Sequence, residues 1–227
     1  MVLECKYCAV SRLCIPAALD DVPKEVFNHT VHAKMQIEKG DLLFKKGDDF
    51  KYFYAIKSGS FKASNLTEDG REQITSFFFA GELIGFDAVS SDCCNSNLEA
   101  IETAFVCLIS YEKLLELSRQ SFSLQRHIIK LMSQRIRYDG CIRAKGKAHE
   151  KVANFLINFI NRINRKNELI NKVRLPMSRT DIGCFLGLTS ETVTRSLSAF
   201  KQKGILTCAG KDLIIKDRSL LEEMAGN

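Results

Sequence analysis

No apolar run in this chain approaches the ~18 residues that a membrane-spanning helix needs. The longest, 76–80 and 103–109, have the length of strands. The first residues, Met1-Val-Leu-Glu-Cys-Lys, lack the basic-then-apolar order of a secretory signal. There is no internal repeat and no low-complexity tract, and the long stretch between Arg71 and Lys113 holds neither lysine nor arginine. These absences exclude spanning, fibrous and disordered classes and predict a soluble, cytoplasmic protein with no membrane partner. What is present is ordinary globular material: 227 residues, 45% hydrophobic and 26% charged. At roughly 150 residues per domain, that length predicts one or two domains, each able to bury a core.

The net charge of +6 is unevenly spread. Residues 1–110 hold 11 Lys and Arg against 16 Asp and Glu, whereas residues 111–227 hold 22 against 11. Only the second half is suited to a polyanion. Basic helix faces that are merely solvated would give the same arithmetic. Nine cysteines are too many to be incidental, yet their odd number and a reducing cytosol argue against a disulfide framework. Cys5, Cys8 and Cys14 crowd the beginning of the chain, and Cys93, Cys94, Cys107, Cys141, Cys184 and Cys208 are scattered.

From about residue 34 to 110, glycines at 40, 47, 59, 70, 81 and 85 separate short runs rich in Phe, Ile, Leu and Tyr, such as 41–44, 52–56, 60–64 and 73–79. Short strands between Gly-bearing turns predict an antiparallel sandwich or barrel. Helical periodicity follows. Ile129, Met132, Ile136, Asp139 and Arg143 keep the 3-4-3-4 spacing of a coiled-coil seam, and Gly140 and Gly146 weaken that helix towards its end. Val152, Phe155, Leu156, Phe159, Ile160 and Ile163 share one face of a second helix, which closes in the polar stretch 164–171.

Residues 178–204 carry the strongest local signal. Ser178 and Asp181 form the pattern of a capping box, opening a helix whose inward face holds Ile182 and Leu186. Gly187-Leu-Thr189 breaks it, and Thr189 or Ser190 can cap a second helix that buries Val193, Leu197 and Phe200. Two short helices around a Gly-containing turn predict a helix-turn-helix, and 205–207 with 213–215 predict a wing. Glu191, Thr194, Arg195 and Ser198 then project together from the outer face. A carboxylate accepts from cytosine N4, and a guanidinium donates two bonds to guanine O6 and N7. Arg179, Lys201, Lys203 and Lys211 lie nearby to meet phosphates of double-stranded DNA. A winged helix used for protein contacts is the competing reading.

Cys5-x2-Cys8-x5-Cys14 places three soft ligands on one short segment, suited to zinc or an iron–sulfur cluster. A four-cysteine site needs one more donor, and no second Cys-x2-Cys supplies it. His29-x2-His32 is the rival zinc pair, expected instead on a solvated helix.

The segment Cys5-Lys-Tyr-Cys8-Ala-Val-Ser-Arg-Leu-Cys14-Ile-Pro16 resembles the N-terminal cluster segment of the FNR (fumarate–nitrate reduction) branch of the cyclic AMP receptor protein superfamily. The likeness continues through Tyr54-Ala-Ile-Lys-Ser-Gly59, Glu72-Gln-Ile-Thr75, Gly85-Phe-Asp-Ala88 and Asp181-Ile-Gly183…Leu186-Gly-Leu-Thr189…Glu191-Thr…Arg195, nearly the whole chain. The resemblance implies an α+β architecture: an N-terminal antiparallel β-roll (a jelly roll like that of cyclic-nucleotide-binding proteins), a long dimerisation helix and a C-terminal winged helix-turn-helix. The corresponding boundaries are 1–19 for the cysteine segment, 20–117 for the roll, 118–147 for the helix and 148–227 for the DNA-binding domain.

It further implies an oxygen-labile [4Fe–4S] cluster on Cys5, Cys8, Cys14 and Cys107, in an oxygen-responsive transcription regulator rather than an enzyme. A homodimer is implied, paired through Ile129, Met132 and Ile136, with Asp139 opposing assembly until the cluster is present. Glu191 and Arg195 imply an inverted repeat of TTGAT-type half-sites, with Thr194 standing where serine is usual. The loop with Thr67, Gly70 and Arg71 resembles a turn that contacts RNA polymerase, although Arg71 stands where an acidic residue is expected. Cyclic nucleotide is not expected, because the turn at Gly81-Glu82-Leu83 has no cation beside it. Cys93-Cys94 receives no role, and a zinc or dithiol switch on the same scaffold is the alternative.

Overall fold

In the computed structural model, which describes residues 5, 8–11, 13–18, 24–142, 146–163 and 172–226 (only the backbone for 24–25 and 139–142), residues 31–110 form eight strands. They are β1 (Val31–Ile37), β2 (Leu42–Phe44), β3 (Tyr52–Ser58), β4 (Ser60–Leu66), β5 (Glu72–Phe79), β6 (Leu83–Ile84), β7 (Asn97–Ala100) and β8 (Ala104–Ser110). One sheet has the order β1-β8-β3-β6 and the other β2-β7-β4-β5. Pairing is antiparallel in both. The glycine-punctuated runs predict this antiparallel two-sheet architecture, and the family resemblance implies its β-roll form.

Strand alternation on β8 sorts residues between two cores. Val106 and Leu108 join Phe61, Leu98 and Ala100 between the sheets. Cys107 and Ile109 face the other way, into a second core with Ile15, Phe27, Leu114, Leu117 and Leu124. That second core is closed by helices. Ser110 caps α2 (Tyr111–Gln120) by accepting from the Lys113 N–H, and Ser121 Oγ accepts from the Leu124 N–H at 3.1 Å to start α3 (Phe122–Ile142). The buried Ser121 cap separates this long helix from α2. Leu124, Ile128 and Leu131 pack inward, while Ile129 and Ile136 are 66% and 72% exposed. Arg135 fixes the helix on β5: its guanidinium lies 4.2 Å over the Phe78 ring and donates to Ser76 Oγ.

The expectation that His29 and His32 share a solvated helix is not met. His29 follows the short α1 (Lys24–Asn28), and His32 lies on β1 with its ring stacked 5.1 Å from Tyr52. Pairing of β1 with β8 overrides the local helical spacing.

The chain divides into two compact units, Met1–Asn65 with Thr75–Arg135, and Leu66–Ile74 with Ile136–Asn227. The second unit contains α4 (Ala148–Ile163), β9 (Lys172–Arg174), α5 (Arg179–Leu186), α6 (Ser190–Gln202), β10 (Leu206–Ala209), β11 (Asp212–Ile215) and α7 (Arg218–Met224). The predicted face of α4 is buried, except that Ile163 is half-buried. The wing is a three-stranded sheet, β10-β11-β9, because Val173 pairs with Leu213. Among the described residues no helix is long and apolar enough to cross a membrane. The polar stretch 164–171, Arg143 and the side chains of Asp139 and Cys141 lie outside the described residues.

Candidate DNA-reading face and cysteine pocket

The helix-turn-helix is built by its caps. Ser178 Oγ accepts from the Asp181 N–H at 3.0 Å, and Asp181 Oδ2 accepts from the Ser178 N–H at 2.8 Å, a closed capping box. Gly187 ends α5 in the left-handed region, φ 67°. Thr189 Oγ1 accepts from the Thr192 N–H at 3.2 Å and opens α6. The tight turn also fixes Gly183, whose carbonyl accepts from the Leu188 N–H at 2.9 Å. A Cβ there would lie 2.6 Å from the Leu188 carbonyl oxygen, which is backbone and has little room to yield. Gly183→Ala is expected to destabilise this unit by about 1–3 kcal/mol through overpacking. Thermal unfolding followed by circular dichroism checks this, and an unchanged melting temperature would show that the turn relaxes.

Burial of Val193, Leu197 and Phe200 leaves Glu191, Thr194, Arg195 and Ser198 together on the exposed face of α6. The Thr194 hydroxyl donates to the Ser190 carbonyl at 2.8 Å, so its proton is engaged within the helix. Arg179 is half-buried and donates to the Gly210 carbonyl at 3.3 Å, which ties α5 to the wing turn. Lys203 caps the end of α6 and is exposed, with Nζ 3.5 Å from Met224 Sδ.

The first unit brings the early cysteines to a strand far away in sequence. Register places Cys107 on β8 between Lys34 of β1 and Ala55 of β3. The segment opposite folds on its own backbone: the Cys8 N–H donates to the Cys5 carbonyl at 3.2 Å and the Cys14 N–H to the Val10 carbonyl at 3.1 Å. Ile15, fully buried in a 3-10 turn, anchors it. Together Cys5, Cys8, Cys14 and Cys107 line one open pocket with Val10, Phe27, Lys57 and Ile109. All four are free thiols. Among the described residues no three His, Cys, Asp or Glu side chains converge tightly enough for a single metal ion.

Burial pushes the Cys5 thiol up to about 11, helped by Cys107 and Cys8 and opposed by Lys34. Burial pushes Cys14 up to about 12 against a hydrogen bond from the Ile15 backbone, with Cys107, Cys5 and Cys8 adding to the rise. Burial raises Cys107 as well. These thiols hold their protons more tightly when folded, so their contribution to stability is complete below the ordinary value of 9.0 and is lost as pH rises towards 11–12. Reduced, metal-free protein should therefore lose melting temperature between pH 9 and 11, and Cys14→Ala should lose less over that range. Parallel profiles for the two proteins would contradict the assignment.

Elsewhere in the unit, the turn after β5 is closed on itself. The Gly81 N–H donates to the Ile56 carbonyl at 2.8 Å, the Phe79 N–H donates to Glu82 Oε2 at 3.1 Å, and Leu13 packs so closely that a Cβ at Gly81 would meet it at 2.8 Å. Neither Leu13 nor Lys57 was singled out by sequence. Lys57 lies at the irregularity of β3 between Ile56 and Ser58, where the register against β8 shifts. At the β4–β5 hairpin tip, Thr67 Oγ1 and Arg71 Nε both donate to Asp69, at 2.5 and 2.6 Å, beside Leu66, which is 69% exposed. Cys94 is buried, with its N–H on the Asp48 carbonyl, as part of the roll.

A β-roll, a long helix and a winged helix-turn-helix with a polar, partly basic reading face define a DNA-binding transcription regulator. Residues 34–121 match the cyclic nucleotide-binding domain family and residues 150–224 the Crp-like helix-turn-helix domain family. The chain belongs to the FNR branch of the cyclic AMP receptor protein superfamily. The fumarate and nitrate reduction regulatory protein of Vibrio cholerae is 40% identical over 227 residues, 99% of this chain and 91% of that protein. Its counterpart in Escherichia coli K12 is 39% identical over 228 residues, with the same coverage. FixK2 from Bradyrhizobium japonicum superposes with a TM-score of 0.73 at 27% identity, covering 85% of this chain and 96% of that one.

Proposed function

We propose that this regulator senses oxygen through a [4Fe–4S] cluster held by Cys5, Cys8, Cys14 and Cys107, and binds an inverted-repeat operator as a dimer. The observation that carries the reading is the pocket itself: four thiols, three from one segment and one from β8, line a common space. Soft thiolates in that number suit an iron–sulfur cluster. The name of the relatives supports the same choice. When bound, such a cluster supplies an oxygen-labile bridge among its four ligands.

The rest is the work of this chain's own residues. Cys5, Cys8 and Cys14 draw the N-terminal segment onto Cys107. Because Cys5, Cys14 and Cys107 share a core with Leu124, Ile128 and Leu131, tightening that core sets the seat of α3. The opposite face of α3 offers Ile129, Met132 and Ile136 to a second copy. Asp139 follows the same spacing, so a pair of carboxylates opposes assembly. Paired protomers set two α6 helices about one DNA turn apart, with Glu191 and Arg195 reading bases, Thr194 and Ser198 beside them, and Arg179 and Lys203 meeting phosphates. Thr67, Gly70 and Arg71 at the hairpin tip are the proposed contact with RNA polymerase. The four-part division at 19, 117 and 147 belongs to the same reading. Cyclic nucleotide has no place in it, since residues 72–112 lack a cation and the amides of Phe79 and Gly81 are engaged.

Asp139→Ala removes the repelling pair and is expected to favour dimers in air-exposed protein, measured by sedimentation equilibrium. An unchanged equilibrium would show that Asp139 does not gate assembly. For the function as a whole, anaerobically prepared protein should bind an inverted-repeat duplex about tenfold or more tightly than the same preparation after air, a typical coupling between sites. Equal affinity would overturn the reading.

A further inference from the structure

The core that α3 shares with Cys5, Cys14 and Cys107 and the exposed Ile129 and Ile136 lie on opposite faces of that helix, and His127 reaches the cysteine segment by a polar contact. His127 stands on α3 between Leu124 and Ile128, both of which pack into the core shared by Cys5, Cys14 and Cys107. Its imidazole donates a hydrogen bond to the backbone carbonyl of Cys14. Its other nitrogen, Nε2, is buried and has no hydrogen-bond partner among the described residues. The donor is therefore Nδ1, which fixes the tautomer. A buried polar atom left without a partner is uncommon and calls for a compensating reason. Leucine would fill this position without that cost, so packing alone does not account for an imidazole here. The bond to Cys14 does account for it, because Nδ1 is the atom that reaches the carbonyl.

We infer that His127 is the positioning residue that couples the cysteine segment to the dimerisation helix: its Nδ1–H link to the Cys14 carbonyl carries the setting of that segment into the rotation and seat of α3. This rests on the reading that a group held by the cysteines controls assembly. Two residues beyond His127, Ile129 opens the seam on the far side of the helix, so any turn of α3 that keeps the Cys14 bond also fixes where Ile129 and Met132 point. Apolar contacts such as those of Leu124 and Ile128 are non-directional and tolerate rotation, whereas the hydrogen bond is directional.

The test separates the two imidazole nitrogens. His127→Asn places an amide N–H near the position of Nδ1 and keeps the link. His127→Gln places its amide near the position of Nε2, and His127→Leu has no donor, so both lose it. Each full-length protein is prepared anaerobically, assayed for iron and sulfide, and its dimer dissociation constant is measured by sedimentation with the cluster present and after its removal. All variants should take up iron and sulfide like the parent. Loading should tighten the parent and His127→Asn dimers by the same factor, whereas in His127→Gln and His127→Leu that factor should fall at least fivefold. Should His127→Leu fail to fold, the contrast between Asn and Gln still decides. Equal tightening in Asn and Gln, or loss of iron and sulfide in Gln and Leu, would overturn the coupling role alone. A parent protein that loads fully but does not tighten would overturn the reading beneath it, and the coupling with it.

Discussion

Cys107→Ser is expected to abolish uptake of iron and sulfide under anaerobic conditions, and with it the tight, oxygen-sensitive binding to the operator. A hydroxyl is a harder and poorer iron ligand than a thiolate. The substitution is otherwise small: Cys107 is half-buried on β8, and its backbone pairing with Lys34 and Ala55 is independent of the side chain. The roll should therefore stay folded while the site empties. Serine at Cys5, Cys8 or Cys14 should do the same. Cys93→Ser and Cys208→Ser should retain normal content, because neither lines the pocket. Wild-type iron and sulfide in folded Cys107→Ser protein would remove the fourth ligand and leave the early cysteines without a partner on the roll.

Arg195→Ala is expected to damage recognition of the operator selectively. Arg195 is exposed on α6, one turn beyond Glu191, where a guanidinium can reach guanine O6 and N7 together. Loss of such a bidentate contact costs ~1–3 kcal/mol, or roughly 5- to 150-fold, at that base pair while leaving non-specific affinity closer to intact. Lys203, at the end of the same helix, is the contrasting case. Lys203→Ala should weaken operator and scrambled duplexes alike and reduce the salt slope by about one. Salt titrations of both variants on both duplexes check this. Equal losses for Arg195→Ala on the two duplexes would make it a phosphate clamp.

The DNA-reading unit was the most legible part of the chain. Its signals are local: Ser178 with Asp181, Gly187, Thr189, and the spacing of Val193, Leu197 and Phe200 each specify a cap, a break or a buried face within a few residues. The cysteine site was legible only in part. Cys5, Cys8 and Cys14 announce themselves by spacing, but Cys107 sits in an ordinary strand and is joined to them by the register of β8 against β1 and β3, which is tertiary information. Family resemblance, not spacing, pointed to it. The same limit explains the rest. β9 has three residues and owes its state to pairing with β11, and α7 has seven residues, too few for a clear period. The spacing of His29 and His32 suggested a helix until strand pairing with β8 placed His32 in β1. His127 carries no sequence signal, because its polar contact is with a segment more than a hundred positions away.

The most direct measurement is the visible absorption spectrum of anaerobically purified full-length protein, with iron and sulfide analysis, recorded before and after admission of air alongside operator binding in the same samples. A brown-green protein with broad visible absorption and four irons and four sulfides per chain is expected, bleaching in air in step with the loss of operator binding. A colourless anaerobic protein that already binds the operator, and binds it equally after air, would contradict it.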